Sequence, residues 1–257
     1  MAIDFTVEEG VAVLSLNRAP ANAYNMQMLR DLADAVRRVR EDSAVRVAVV
    51  RSALPKFFCT GADISTLQDS DRAAFANFLS VAHEAVDMIT RTPKLFIAAI
   101  SGHCIGGGLE IALSCDFRFA SAGKYRLGLA EVNLGLSPGM GGTQRLPRLI
   151  GKGKATEWIL TGEMYTAQDA LRLGLVSQLV PQDQVLKAAK DLARKIAAKS
   201  AVAIGQALKA IEEGIDKPLV EGLALEAKMF TAVAQSEDSR EGVKAYLEKR
   251  QPQFKDR

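Results

Sequence analysis

Apolar residues recur along the first hundred positions with two different periods. Ile3, Phe5 and Val7 alternate with polar neighbours, Glu9-Gly10 turns the chain, and Val11-Ala12-Val13-Leu14-Ser15-Leu16 continues, which is the pattern of a β-hairpin. From about Asn25 to Arg40 the period lengthens. Met28, Leu29, Leu32, Val36 and Val39 fall at helical spacing with Arg30, Asp31, Asp34, Arg37 and Arg38 between them, so an amphipathic helix is predicted. Val45-Arg46-Val47-Ala48-Val49-Val50 is a nearly continuous apolar run, as expected of a strand covered on both faces. Phe75, Phe78, Leu79, Ala82, Val86 and Ile89 mark a second amphipathic helix, ended by Thr92-Pro93. His83 falls between its apolar positions and is expected to be structural. Leu95 to Ile100 and Asp116 to Ser121 read as further strands. Gly142 to Ile150 and Thr156 to Leu160 read as short helices, and Thr166-Ala167-Gln168-Asp169 resembles a capping box opening a helix that stops at Gly174. After a last strand at Val176 to Pro181, only helical patterns remain: 185–197, 201–215, 218–233 and 239–248.

One stretch carries chemistry. The run Leu95-Phe96-Ile97-Ala98-Ala99-Ile100 leads through Gly106-Gly107-Gly108 into Leu109-Glu110-Ile111-Ala112-Leu113, which reads as strand, tight turn and helix. The first amides of a helix lack intrahelical partners and lie at the positive end of its dipole, so a helix starting near Gly107 offers donors to an oxyanion. Glycines let a substrate approach that backbone closely. Glu110 lies about one turn inside the helix, and Glu131 follows 21 residues later. A carboxylate set inside an apolar turn is costly unless it is used or paired, so two carboxylates converging on one pocket are expected. Upstream, Phe58-Cys59-Thr60-Gly61-Ala62-Asp63-Ile64 is a loop in which Gly61 takes a positive φ and Asp63 caps the next helix.

Composition narrows the class. At 257 residues, 48% hydrophobic and 25% charged, the chain suits one large domain or one domain with a helical appendage, and disorder and fibre are excluded. A net charge of +3 without a basic, aromatic-interleaved patch argues against nucleic acid, while a mild basic excess suits a polyanionic small molecule. Cys59, Cys104 and Cys115 are odd in number and fit no metal spacing. With no export signal and no membrane-length apolar run, a cytoplasmic protein without membrane contact is expected.

Several motifs mislead. Gly135-Leu136-Ser137-Pro138-Gly139 has the spacing of a nucleophile elbow, but Pro138 has no N–H to give an oxyanion. Gly102-His103-Cys104-Ile105-Gly106 is the cysteine version, with only the adjacent His103 and the distant His83 as bases. No Lys-Ser/Thr pair follows the glycines, so a P-loop is excluded, and Ile111 stands where a dinucleotide fingerprint needs its last glycine.

Together, Phe58 to Ile64, Gly106-Gly107-Gly108-Leu109-Glu110, and Glu131 through Pro138-Gly139-Met140-Gly141-Gly142-Thr143-Gln144-Arg145-Leu146 resemble the enoyl-CoA hydratase/isomerase (crotonase) family over essentially the whole chain. The resemblance implies an α/β fold, a crotonase-like ββα spiral core over 1–195 with a C-terminal α-helical trimerisation region over 196–257. It implies an acyl-CoA thioester as substrate, a homotrimer or homohexamer, and no metal or redox cofactor. By the same resemblance the Ala62 and Gly107 amides bind the thioester oxygen, and Ala62, Asp63, Ile64 and Ser65 lie along the CoA. Phe230, Tyr246 and Lys249 match tail positions that line its adenine and 3′-phosphate end.

Hydratases of the family carry a glutamate pair at the positions of Glu110 and Glu131. The implied reaction is reversible hydration of a 2-enoyl-CoA to a 3-hydroxyacyl-CoA, with Glu110 taking a proton from water and protonated Glu131 giving one to the α-carbon. The alternatives are an enoyl-CoA isomerase or another specialised member of the family and, from a different class, a CoA-sensing or RNA-binding relative. Ser65 stands where many hydratases have lysine, and Ala21-Asn22-Ala23-Tyr24-Asn25 departs from their usual Asn-Ala-Leu pattern. These loops and the helix around Leu67 to Phe78 leave the acyl preference open.

Overall fold

The computed structural model describes residues 1–66 and 71–257, so the Leu67 end of the acyl-side helix lies outside the described residues. Strands β1 (Ile3–Glu8) and β2 (Val11–Leu16) form the expected hairpin, with Ile3 opposite Leu16. Helix α1 (Met26–Glu41) follows, and the Asn25 side chain caps it by accepting from the Met28 amide.

A unit then repeats: a long strand, a short strand and a helix. It runs first through β3 (Val47–Ser52), β4 (Phe57–Cys59) and α2 (Arg72–Thr90), then through β5 (Leu95–Ile100), β6 (His103–Ile105) and α3 (Gly107–Leu113). The third pass brings β7 (Phe117–Ser121), β8 (Arg126–Gly128), α4 (Gly142–Ile150) and α5 (Lys152–Thr161). After β9 (Tyr165–Thr166), α6 (Ala167–Arg172) and β10 (Gln178–Val180), the chain is helical: α7 (Val185–Ala197), α8 (Ala201–Gly214), α9 (Leu219–Ala234) and α10 (Glu237–Leu247). The capping box at Thr166 and Asp169 is present.

The long strands form a six-stranded sheet in the order β1-β2-β3-β5-β7-β10, and the short ones a four-stranded sheet in the order β4-β6-β8-β9. In the second sheet β4, β6 and β8 are parallel neighbours. The loops at their C-terminal ends therefore emerge side by side, and this places the site.

The apolar run of β3 has the expected explanation. Val47 and Val49 join Val11, Ile97 and Phe119 under α7, through Val185, Ala189 and Ala193, while Ala48 and Val50 face the other core with Phe96, Ala98, Met28 and Leu32. A period-2 strand covered on both faces has no polar side. The strand runs two residues later than its pattern suggests. The expected strand-to-helix step after Ile100 is interrupted by β6, and His83 lies exposed on the outer face of α2 rather than in the core.

Arg118 on β7 is 5% exposed and forms no ion pair among the described residues. Its Nε donates to the Leu175 carbonyl (2.7 Å), and its guanidinium also donates to the carbonyls of Ala112 and Cys115 at the C-terminal end of α3. A cation suits that end of a helix. Arg118→Met takes this donor from the Leu175 and Cys115 carbonyls, so unfolding by denaturant is expected to show a loss of about 2–4 kcal/mol.

Candidate active site

The loops leaving β4, β6 and β8 meet at a cavity of about 140 Å³ bordered by Tyr24, Ala62, Gly107, Glu110, Glu131 and Met140, with apolar side chains of α2 on the far side. The loops are pinned to each other through the backbone. The Gly106 amide donates to the Gly128 carbonyl (2.8 Å), and a Cβ on Gly61 would lie 3.2 Å from the Gly107 nitrogen. Tyr24 bridges to the first loop, its amide donating to the Gly61 carbonyl and its carbonyl accepting from the Asp63 amide, both at 2.8 Å. That bridge passes over the Ala62 amide, and Gly107, as the first residue of α3, has no intrahelical acceptor. Two donors predicted from sequence are thus brought to one edge of the cavity.

Gly106 and Gly107 are glycines for steric reasons. Gly106 has φ +54°, and a Cβ there would come within 3.0 Å of Glu131 Oε1. A Cβ on Gly107 would lie 1.9 Å from the Tyr24 hydroxyl.

The two carboxylates are held differently. Glu110 is 2% exposed, and its Oε1 accepts from the amides of Met140 and Gly142, both at 2.7 Å. Burial pushes its carboxyl up, and the amides of Gly142, Met140 and Gly139 oppose that shift by favouring the ionised form. Glu131 opens a one-turn 3₁₀ segment, Glu131–Leu134, and its Oε2 is buried with no hydrogen-bond partner among the described residues. Burial raises its carboxyl to about 7, with its own amide opposing and the charge of Glu110 reinforcing. The amides on Glu110 favour its ionised form, whereas burial and the neighbouring charge favour the protonated form of Glu131.

Tyr24, buried, was legible only as a departure from a pattern. Asn22 Nδ2 donates to the Phe58 carbonyl (2.9 Å) and fixes this segment to β4. The Tyr24 hydroxyl lies 2.9 Å from Met140 Sδ, and burial keeps it protonated far above its ordinary range. Met140 is held at its other end too, because Arg145 Nη1 donates to its carbonyl (2.8 Å). The residue whose amide steadies Glu110 is therefore clamped at both side chain and backbone. Tyr24, Met140 and Arg145 are contributors that sequence reading did not assign to the site.

The other predicted residues divide. Asp63 caps the turn after it, accepting from the Ser65 hydroxyl (2.7 Å), and pairs with Arg18 (2.7 Å); both partners lower its carboxyl. The expected turn chemistry and the donor loop are the same residues. Ile64 borders the cavity, and Ser65 is exposed beside it. Phe230, Tyr246 and Lys249 are exposed on or just beyond α9 and α10 and do not border this cavity.

The family model for enoyl-CoA hydratase/isomerase matches residues 6–257. The chain is 37% identical over 248 residues to a crotonyl-CoA hydratase of Syntrophomonas wolfei, covering 96% of this chain and 95% of that one. It is 39% identical over 251 residues to a 2,3-dehydroadipyl-CoA hydratase of Escherichia coli, covering 97% of each. A crystal structure of an enoyl-CoA hydratase from Bacillus anthracis, 37% identical, superposes with a TM-score of 0.96 over 100% of both chains. With the spiral of paired strands and the two-loop, two-carboxylate cavity, these matches establish that the chain belongs to the enoyl-CoA hydratase/isomerase family.

Proposed function

We propose that this protein is an enoyl-CoA hydratase, a hydro-lyase that adds water reversibly to a 2-enoyl-CoA to give a 3-hydroxyacyl-CoA, as in fatty-acid β-oxidation. One observation carries the reading: buried Glu110, held by two amides, and Glu131, with one buried and unpartnered oxygen, share an apolar cavity with the Ala62 and Gly107 amides, neither of which donates to the backbone of the described residues. The thioester oxygen accepts from the amides of Ala62 and Gly107, which stabilise the negative charge that develops there when the β-carbon is attacked. Glu110 takes a proton from water as its oxygen bonds to that carbon. Protonated Glu131 gives its proton to the α-carbon, and solvent exchange resets the pair. The names of the Syntrophomonas wolfei and Escherichia coli relatives support hydration rather than isomerisation. This proton traffic uses no metal or redox cofactor.

The same reading places CoA along Ala62, Asp63, Ile64 and Ser65. Phe230, Tyr246 and Lys249 would reach its adenine and 3′-phosphate end only across an interface, since they do not border their own chain's cavity. An interface is supported by the surface: α8 buries no side chain within the chain and α9 buries only Met229, yet Leu219, Val220, Leu223 and Phe230 are exposed. These helices would assemble a homotrimer or homohexamer. Cys59, Cys104 and Cys115 are free thiols, which suits a reducing cytoplasmic setting. No helix among the described residues is long and apolar enough to cross a membrane.

The test is purified protein with crotonyl-CoA, followed by loss of the conjugated-thioester absorbance; turnover supports hydration. Persistence of that absorbance, with 3-enoyl-CoA converted to 2-enoyl-CoA, would make it an isomerase.

The pair also sets the pH dependence. Hydration needs Glu131 protonated, so kcat/KM is expected to fall as pH rises through about 7, and to fall in acid as Glu110 takes up a proton. Stability moves with the first group. The folded-state value of Glu131 lies above its ordinary 4.5, so its contribution is fully present below about 4.5 and is lost as pH rises to about 7. Thermal unfolding between those limits should show a flatter slope in Glu131→Gln than in the parent.

A further inference from the structure

Among the described residues, the side chains that face the two glutamates across the cavity are mainly apolar. Phe75 and Leu79 lie one turn apart on α2 and face it, and Leu134 and Leu136 close it from the segment after Glu131. The rim is apolar as well, with Ile64 and Leu134 both at the cavity and more than half exposed. No lysine, arginine or histidine borders the cavity among the described residues, and Leu67-Gln68-Asp69-Ser70 adds none by sequence. Two nearby arginines are already engaged. Arg145 donates to the Met140 carbonyl, to Asp87 (3.3 Å) and to Thr90 (3.4 Å), and Arg18 is paired with Asp63.

We propose that the substrate is an uncharged 2-enoyl-CoA, and that Phe75, Leu79 and Leu134 are specificity-determining residues that reject acyl groups ending in a carboxylate. The proposal rests on the hydratase reading of the same site. A terminal carboxylate entering this cavity would lose its water without gaining a cation. In this respect the chain parts from the Escherichia coli relative named for 2,3-dehydroadipyl-CoA, despite 39% identity.

The experiment compares kcat/KM for crotonyl-CoA, 2-hexenoyl-CoA and 2,3-dehydroadipyl-CoA; the last two share chain length and differ by a terminal carboxylate. The two uncharged substrates are expected to be hydrated, with the diacid at least about 30-fold slower than 2-hexenoyl-CoA, the scale of an unpaired buried charge. Phe75→Arg, which supplies a cation, is expected to raise the diacid-to-monoacid ratio at least about tenfold whatever its absolute rate. A diacid handled within a few-fold of 2-hexenoyl-CoA by the parent protein would overturn the specificity while leaving the hydratase reading intact. Failure to hydrate any of the three would overturn the hydratase reading itself and the specificity with it.

Discussion

Replacing Glu110 with glutamine is expected to lower the hydration rate by about 10²–10⁴-fold, the usual range for losing a positioned base, while CoA binding is retained. The substitution keeps the volume, and its amide oxygen still accepts from the Met140 and Gly142 amides that now hold Oε1 at 2.7 Å. What disappears is the capacity to take a proton from water. Folding should not suffer, because burial already works against the charge of this carboxyl. The informative result is therefore a split: kcat collapses, while the melting temperature and the affinity for a non-reacting acyl-CoA stay near those of the parent. A variant hydrating at the parental rate would remove Glu110 from the base role.

Gly107→Ala is expected to cost about 10²–10³-fold in kcat, the loss seen when one oxyanion donor is misplaced. The added Cβ would meet the Tyr24 hydroxyl at 1.9 Å, and that ring has little room to retreat. It is buried, stacked on Phe78 with centroids 6.0 Å apart, and its hydroxyl lies against Met140 Sδ. Relief must come from the backbone that carries the Gly107 amide, so the melting temperature should fall as well. Gly153→Ala on α5 is the control. Nothing lies within 4 Å of a Cβ there, and alanine favours the helix, so rate and melting temperature should be unchanged or slightly improved. Equal damage in both variants would show that the loss at Gly107 is not about the donor.

The long strands were legible because apolar runs such as Leu95–Ile100 are buried on both faces and need no tertiary information to be recognised. The short strands of the four-stranded sheet were not. Phe57–Cys59, His103–Ile105 and Arg126–Gly128 are too short to show a period, and they are strands only because they lie side by side. That pairing is also what brings the Ala62 and Gly107 amides together. The residues of each donor loop could be read separately, whereas their convergence came only through family resemblance. Glu110 was marked by its costly place inside an apolar turn. Glu131 carried no comparable local signal, since its 3₁₀ turn buries no whole residue. Tyr24 and Met140 lie 116 residues apart in sequence, a contact that no local pattern encodes. Phe230 and Tyr246 were assigned to CoA only through the family resemblance, and both side chains are exposed.

Net addition of water through the Glu110 and Glu131 pair is what most needs to be shown, and mass analysis of the product formed from crotonyl-CoA in heavy-oxygen water shows it without intermediaries. The expected product is a 3-hydroxyacyl-CoA carrying one heavy oxygen, formed by the parent protein and nearly absent with either Glu110→Gln or Glu131→Gln. A product of unchanged oxygen content, or heavy-oxygen incorporation that persists in both variants, would contradict the assigned chemistry.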